Sequence, residues 1–463
     1  MRLGSTRLNS VQMPRRADQD PKLTLEPRSF YILFAVSIVV AIGNTGLMAV
    51  LPAIARETRI ADWMISAVFG LSALLWAIMS PIWARVSDRR GRKPLIMLGL
   101  AGFAVSMLLC ACVVTLGLYH LIPPLAVFAL FLICRALFGL IGSSSNPATQ
   151  AYLAERTSRA DRTQQMAALA GAFGLGTVVG PFLAPLLIVP FVTLAGPMFA
   201  FALLAGGMLL VVRRLLPEEW TPPVKARAYP KAVDKPAWRK ARGRGILIWR
   251  FISGLFRLPL RPFLIYGFLV ACCQTAQGYT LGFMIIDKLG VEPKAALGPT
   301  AVAMGAGALS GLLAQWGLIR VFQMGPKALL RWGVGLAALG NVVTVLAPDY
   351  MTMVAGFAIS SLGYGFARPG FTAGASLTVR MSEQARAAGA IAAVNGLNVI
   401  LAPLFVALYG VMHEAPFALN AVICSGLLFY AFKNAILRNA GETPPDDEET
   451  AQALMGRRDE GGG

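Results

Sequence analysis

Two arginines lie inside long apolar stretches, at Arg135 and Arg368. A charge at the middle of a bilayer costs about 2.5–3.5 kcal/mol on insertion scales, so both side chains are expected to face a protein interior or a water-filled cavity. Arginine stays protonated and donates several hydrogen bonds, which predicts a bound substrate that is anionic, zwitterionic or rich in acceptors. The alternative is that one or both guanidiniums bind helix carbonyls and serve only packing.

Acidic residues are absent from the same apolar stretches. All 23 Asp and Glu residues fall in predicted loops, tails or helix ends. A carboxylate buried in an apolar environment, whose pKa is raised, is a frequent partner of cations and protons, so its absence favours a ligand that is not a cation. The apolar stretches also contain uncharged polar candidates for substrate binding, each of which has an interhelical hydrogen bond as its alternative role. They are Asn44, Gln274, Gln277, Asn395 and Asn398.

The composition predicts an integral membrane protein. Of 463 residues, 56% are hydrophobic and 14% charged, and the mean hydropathy is +0.63. A helix needs roughly 20 apolar residues to cross the hydrocarbon core. Twelve such runs are present, at 30–53, 63–84, 94–116, 121–145, 166–189, 192–212, 263–286, 298–319, 328–347, 350–371, 387–409 and 415–435. The expected fold class is therefore all-α.

The formal charge of +19 is explained by topology. With both termini in the cytoplasm, the cytoplasmic segments hold 36 of the 42 Lys and Arg residues, as the positive-inside rule requires. We therefore expect a protein of the plasma (inner) membrane without a cleaved signal peptide. Nucleic-acid binding is not expected, because the basic residues are scattered over several loops instead of covering one folded face.

A short charged turn separates the second and third apolar runs, between Ser80 and Leu95. Its characteristic residues are Asp88, Arg89, Gly91, Arg92 and Lys93. This turn resembles the signature between helices 2 and 3 of the major facilitator superfamily, G-x-x-x-D-[RK]-x-G-[RK]-[RK], with Ala84 in place of the first glycine. The Asp88 carboxylate can accept hydrogen bonds from the basic residues, which predicts a cytoplasmic latch that holds the outward-facing state. The alternative is that the charged turn only anchors the membrane topology.

Two further motifs resemble the drug:proton antiporters of that superfamily, including the tetracycline exporters. One is R-x-x-x-G-x-x-G, which begins at Arg135 and is extended by a segment ending at Glu155. The other is the helix 5 motif, in which Gly176, Gly180 and Pro181 are present but the usual final Gly-Gly is Ala184-Pro185. The resemblance makes these three residues of helix 5 a candidate hinge. Glu155 and Asp88 are candidates for proton coupling, with protonation of the substrate itself as the alternative. Asp287 and His413, at the outer boundaries, are weaker candidates.

The second half of the sequence repeats the first. A shift of 222 residues superposes Pro181 on Pro403, and a shift of 234 superposes Gly91 on Gly325. Together with the resemblance, this predicts two pseudo-symmetric six-helix bundles. The expected domains are a cytoplasmic tail (1–28), a first bundle (29–212), a basic linker (213–262), a second bundle (263–440) and a second tail (441–463).

The expected function is proton-coupled efflux of a small amphipathic or anionic organic compound by alternating access. One alternative is a proton symporter that imports an organic anion, and another is a non-transporting membrane sensor on the same scaffold. We expect no enzymatic activity, no metal site and no cofactor, with the proton gradient as the energy source. The expected partners are the small-molecule substrate, protons and the lipid bilayer, and the expected state is a monomer.

Overall fold

The computed structural model describes residues 25–157, 159–188, 193–217, 260–379 and 384–440. They fold into twelve long helices, which confirms the predicted all-α membrane class. The helices are α1 (Pro27–Glu57), α2 (Asp62–Arg90), α3 (Arg92–Leu118), α4 (Pro124–Glu155), α5 (Arg159–Leu186), α6 (Gly196–Leu215), α7 (Arg261–Leu289), α8 (Leu297–Val321), α9 (Pro326–Leu346), α10 (Tyr350–Leu377), α11 (Gln384–Leu397, then Asn398–Leu401 and Ala402–Val411) and α12 (Ala415–Lys433). A last turn, α13, spans Ala435–Arg438.

Helix ends follow ordinary capping chemistry. Helix α4 begins at Pro124, three residues after the start of the predicted run, because proline fits the first helical turn, where its missing N–H is not needed. Helix α10 begins after Asp349, whose carboxylate accepts a hydrogen bond from the Thr352 backbone N–H at 2.8 Å. This bond lowers the pKa of Asp349 from its ordinary value.

Three helices depart from α-helical geometry within their length. Helix α4 passes through a 3₁₀ turn at Gly142–Ser144, α11 does so at Asn398–Leu401, and α8 has a π-helical segment at Leu313–Leu318. Such irregular segments are frequent at functional positions. The π-helical segment of α8 directs the Trp316 ring against Gly171 of α5 in the other half of the molecule.

The internal repeat is visible in matching helix contacts. A Cβ atom on Gly99 of α3 would lie 2.8 Å from the Ser145 Cα of α4, and one on Gly333 of α9 would lie 2.8 Å from the Ala367 Cα of α10. The two glycines are 234 residues apart and their two partners 222, which are the offsets of the sequence repeat. The same close helix crossing is therefore built twice, as a six-plus-six duplication requires.

The two halves meet along α1 with α7, α2 with α11 and α5 with α8. We call the end of the bundle that carries the Gly91 turn the signature end, and the opposite one the distal end. At the distal end one apolar cluster contains residues of both halves, such as Val50 of α1 and Phe283 of α7. At the signature end a separate cluster consists of second-half residues alone, among them Phe263 and Phe371. The halves are therefore packed together at the distal end.

The predicted tails and linker fall largely outside the described residues, which exclude 1–24, 218–259 and 441–463. The first-half helices run from residue 27 to 215, and the second-half helices begin at residue 261. The domain boundaries 29–212 and 263–440 stay predictions that agree with these helix limits to within a few residues.

Candidate functional site

Arg135 is buried deep in the first half. It lies 11 residues into α4, about 17 Å along the helix axis, and only 2% of the residue is exposed. Its guanidinium lies between two aromatic rings, 4.9 Å from the centre of Phe69 and 4.4 Å from that of Phe138. Ring faces attract cations, so this pair of rings stabilises the charge without neutralising it.

The hydrogen bonds of Arg135 are only partly formed. Its Nη2 donates to the Oδ1 of Asn44 on α1, and the Asn44 amide in turn donates to the Val40 carbonyl at 3.0 Å. The Nε and Nη1 atoms are buried and have no acceptor among the described residues. A buried donor without an acceptor is costly, and a buried cation more so. The site is therefore suited to a ligand that supplies negative charge or acceptor oxygens.

An aromatic residue of the second half completes this region. Tyr279 of α7 is half-buried, and its ring meets Phe69 edge-on at 5.8 Å between centroids. Residues of α1, α2, α4 and the second half thus surround Arg135. Sequence reasoning missed Phe69 and Phe138, because an aromatic residue in an apolar run carries no signal that separates a cation-binding ring from ordinary packing.

The second arginine occupies a different setting. Arg368 of α10 has an exposed side chain and donates from Nη1 to the Gln274 Oε1 at 3.3 Å, and Gln274 is exposed as well.

Gln277, one helical turn further along α7, is buried and donates to the Ser361 hydroxyl at 3.2 Å. Its Oε1 has no hydrogen-bond partner among the described residues.

Helix α11 contains two of the predicted binding amides, Asn395 and Asn398. Asn398 is buried and donates to the Thr275 hydroxyl at 2.5 Å and to the Ala271 carbonyl at 3.1 Å, so it ties α11 to α7. This is the interhelical hydrogen bond that is the alternative to substrate binding. The side chain of Asn395 lies outside the described residues.

The acidic residues of the described chain lie at helix ends or in loops, as the sequence predicts. They are Glu26, Glu57, Asp62, Asp88, Glu155, Asp161, Asp287, Glu292, Asp349 and Glu414. In the same part of the chain, no group of three His, Cys, Asp or Glu side chains is arranged to hold a metal ion.

The signature turn forms an ion-pair network around Arg92, at the first turn of α3. Its guanidinium lies 2.6 Å from a carboxylate oxygen of Asp88 at the end of α2, and 2.6 Å from one of Glu155 at the end of α4. Arg89 is exposed and Lys93 half-buried. All three members of the network belong to the first half, so in this conformation it fastens three helices of one bundle. Its role as a latch of the outward-facing state stays a prediction.

Gly91 makes this network possible, because it joins α2 to α3 with φ +94° and ψ 163°. Residues with a Cβ avoid this conformation at a cost of order 1–3 kcal/mol. We expect Gly91→Ala to lower the Tm of the purified protein by about 1–3 °C. The repeat supplies a matched control: Gly325 has φ −74° and open space around it, so Gly325→Ala should leave the Tm unchanged. Equal effects of the two substitutions would contradict this assignment.

The helix 5 motif lies against α1. A Cβ atom on Gly176 would lie 2.5 Å from the Ala41 Cβ, and one on Gly180 would lie 2.6 Å from the Ile42 carbonyl oxygen. The Thr45 hydroxyl donates to the Gly176 carbonyl at 3.3 Å. These glycines therefore permit backbone-to-backbone contact. Pro181 lies inside α5, and bending at this motif stays a prediction.

Comparison with known proteins supports the same architecture. Residues 33–403 match the sequence model of the family described as "Major Facilitator Superfamily". The chain belongs to this superfamily of transporters. It is 26% identical to the tetracycline resistance protein, class C, of Escherichia coli over 79% of this chain and 85% of that protein. It is 29% identical to the class H protein of Pasteurella multocida over 41% of this chain and 44% of that protein.

A solved transporter structure extends the agreement in fold to most of the chain. The human organic anion transporter MFSD10 superposes with a TM-score of 0.61, covering 89% of this chain and 100% of that chain at 19% identity. At that identity the likeness concerns the fold. Membership of the superfamily confirms the resemblance inferred from the signature turn, and it identifies the chain as a membrane transporter.

Proposed function

We propose that this transporter exports small amphipathic or anionic organic compounds in exchange for protons. The proposal rests on Arg135, a buried cation next to the interface of the two halves. Two of its nitrogen donors have no acceptor among the described residues, so the site is suited to an anionic substrate group. The tetracycline resistance proteins among the relatives support export of an organic compound. Arg368 and Gln274 are exposed and offer a second set of polar groups.

The proposal includes an orientation. The signature end faces the cytoplasm and the distal end the outside, because the loops at the signature end carry most of the Lys and Arg residues. The conformation described above is then closed to the outside and ready to receive substrate from the cytoplasm. The protein acts as a monomer in the plasma (inner) membrane.

Proton coupling is assigned to the network at the signature end. Glu155 and Asp88 share Arg92 as their cation, so protonation of either carboxylate removes one of its ion pairs. Loss of a pair loosens the junction of α2, α3 and α4, and thereby links proton binding to helix movement. In this scheme no cofactor is needed, because the proton gradient supplies the energy.

Transport in inverted membrane vesicles tests the proposal. Fluorescein and rhodamine 6G share a tricyclic ring body but carry opposite charge, so they form a matched probe pair. We expect fluorescein to accumulate in vesicles that contain the protein only when the lumen is acidic, and rhodamine 6G to accumulate no more than in vesicles without it. Uptake of the cation alone contradicts the substrate class. Movement of the anion with the proton instead of against it contradicts exchange and supports the symporter.

A further inference from the structure

A second charged cluster joins the two halves at the distal end. Arg56, near the end of α1, has Nη2 2.8 Å from the Oδ2 of Asp62 on α2 and 3.1 Å from the Oδ2 of Asp287 on α7. Asp62 belongs to the same half as Arg56, whereas Asp287 belongs to the other. The Arg56–Asp287 pair therefore has to break when the distal end opens.

A single oxygen of Asp287 receives several donors. The Tyr409 hydroxyl of α11 donates to Oδ2 at 2.5 Å, and His413 Nε2 lies 3.8 Å from the same atom. The His413 ring is stacked on Tyr409, with centroids 4.9 Å apart and planes 14° from parallel. Stacking holds the imidazole at the edge of the cluster, where a small movement brings it within hydrogen-bond distance of the carboxylate.

When this cluster opens, each of its charged groups keeps a hydrogen-bonding partner. After the halves separate, Arg56 keeps Asp62 in the first half, and Asp287 keeps Tyr409 in the second. A broken ion pair is costly when it leaves an unpaired buried charge, and here it does not. The two arrangements, Arg56 shared between two carboxylates or bound to one, therefore differ little in free energy and are easily biased by one additional charge.

We propose that His413 and Asp287 form an external proton-binding site that opens the distal end. Neutral His413 leaves the Asp287 oxygen to Arg56, and the halves stay together. Protonated His413 competes for that oxygen within its own half, and its positive charge also repels Arg56. Acid on the outer side is therefore expected to favour the conformation open to the outside. This inference rests on the proposed orientation and on alternating access.

The remaining charged groups nearby do not change the sign of this effect. Lys288 donates to the Ala347 carbonyl at the end of α9, and Glu414 and Glu57 have no ion pair with the cluster among the described residues. The cluster thus consists of one permanent cation, two carboxylates and one imidazole. Of these, the imidazole is the group type whose charge normally changes between about pH 5 and 8.

The His413–Asp287 site and the Arg92 network at the signature end differ in the side of the membrane to which the bound proton is released. His413 is reached from the distal end, and reformation of the Arg56–Asp287 pair returns the proton to the same side. No net proton crosses the membrane through this site. It therefore sets how readily the transporter opens at a given external pH, while the exchange stoichiometry is set elsewhere.

The distance between the two halves at the distal end can be measured directly. Spin labels are placed on cysteines introduced at the exposed positions Arg59 and Lys294, in the full chain with Cys112→Ser, because the other five cysteines are buried. Pulsed electron spin resonance in nanodiscs then gives the distance distribution from pH 8 to pH 5. We expect the long-distance fraction to rise severalfold between pH 8 and pH 5.

The chain has two histidines, which gives a matched control. His413→Asn should remove most of the rise, whereas His120→Asn, at an exposed position between α3 and α4, should leave it intact. Asp287→Asn should give the long distance at every pH. The inference is overturned if His413→Asn titrates like the wild type, or if Asp287→Asn stays closed throughout. A chain that exchanges fluorescein for protons but shows no such titration refutes this inference alone.

Discussion

Arg135→Met is expected to abolish transport while leaving the folded protein at least as stable as the wild type. Removing one partner of a buried charge-assisted hydrogen bond costs about 2–5 kcal/mol, equivalent to a loss of about 30-fold or more in rate. Replacing a buried charge by an apolar side chain of similar volume is often neutral or stabilising. The expected result is a normal or raised Tm together with fluorescein uptake near that of empty vesicles.

Two control variants separate recognition from packing. Arg135→Lys keeps the charge between the Phe69 and Phe138 rings but has no planar fork of donors, so we expect intermediate uptake. Arg320→Met removes an exposed arginine at the end of α8 and should behave like the wild type. A fully active Arg135→Met, or an inactive Arg320→Met, would contradict the role assigned to Arg135.

Gly180→Val is the second substitution for which we expect a large effect. The new side chain would push α5 away from α1, because a Cβ there already lies 2.6 Å from the Ile42 carbonyl and 2.8 Å from the Gly46 nitrogen. Overpacking of this kind typically costs about 1–3 kcal/mol. We expect a Tm lowered by about 1–3 °C in thermal unfolding of the purified protein, because the Tm shift per kcal/mol falls as chain length grows, together with a reduced yield of folded protein.

The size of the added side chain distinguishes close packing from a hinge. If close contact is what matters, Gly180→Ala already lowers the Tm, and Gly180→Val lowers it further. If Gly180 serves only bending, Gly180→Ala keeps the wild-type Tm and loses transport. Gly207→Val on α6 is the matched control, because a Cβ there would meet nothing within 4 Å. A Gly180→Val protein as stable as the Gly207→Val protein would show that α1 and α5 are not packed as described.

The fold can be predicted from the sequence because the sequence patterns that indicate it are strong and occur in both halves. Each spanning helix needs a long apolar run, and the Gly99 and Gly333 contacts repeat at the offsets already visible in the sequence. Arg135 and Asn44 are predicted for the same reason, since a charge or an amide in an apolar run is rare enough to be conspicuous.

The surroundings of these residues could not be predicted in the same way. The aromatic rings that hold Arg135 are indistinguishable in sequence from the many other apolar residues of the helices. The sequence predicts Asn398 as a binding residue on the same grounds as Asn44, yet its side chain donates to the Thr275 hydroxyl and so links α11 to α7. The distal cluster joins residues more than 200 positions apart, Arg56 and Asp287, at loop boundaries where charged residues are common.

Ligand binding by the purified protein tests the central claim, that Arg135 recognises a negative charge. A ligand that binds only the folded state raises the Tm by mass action, so an aryl carboxylate can be compared with its uncharged methyl ester of the same hydrocarbon body. We predict a Tm increase for the carboxylate with the wild type, and no increase for the ester or for Arg135→Met. Equal increases for carboxylate and ester, or an increase that persists in Arg135→Met, would contradict the claim.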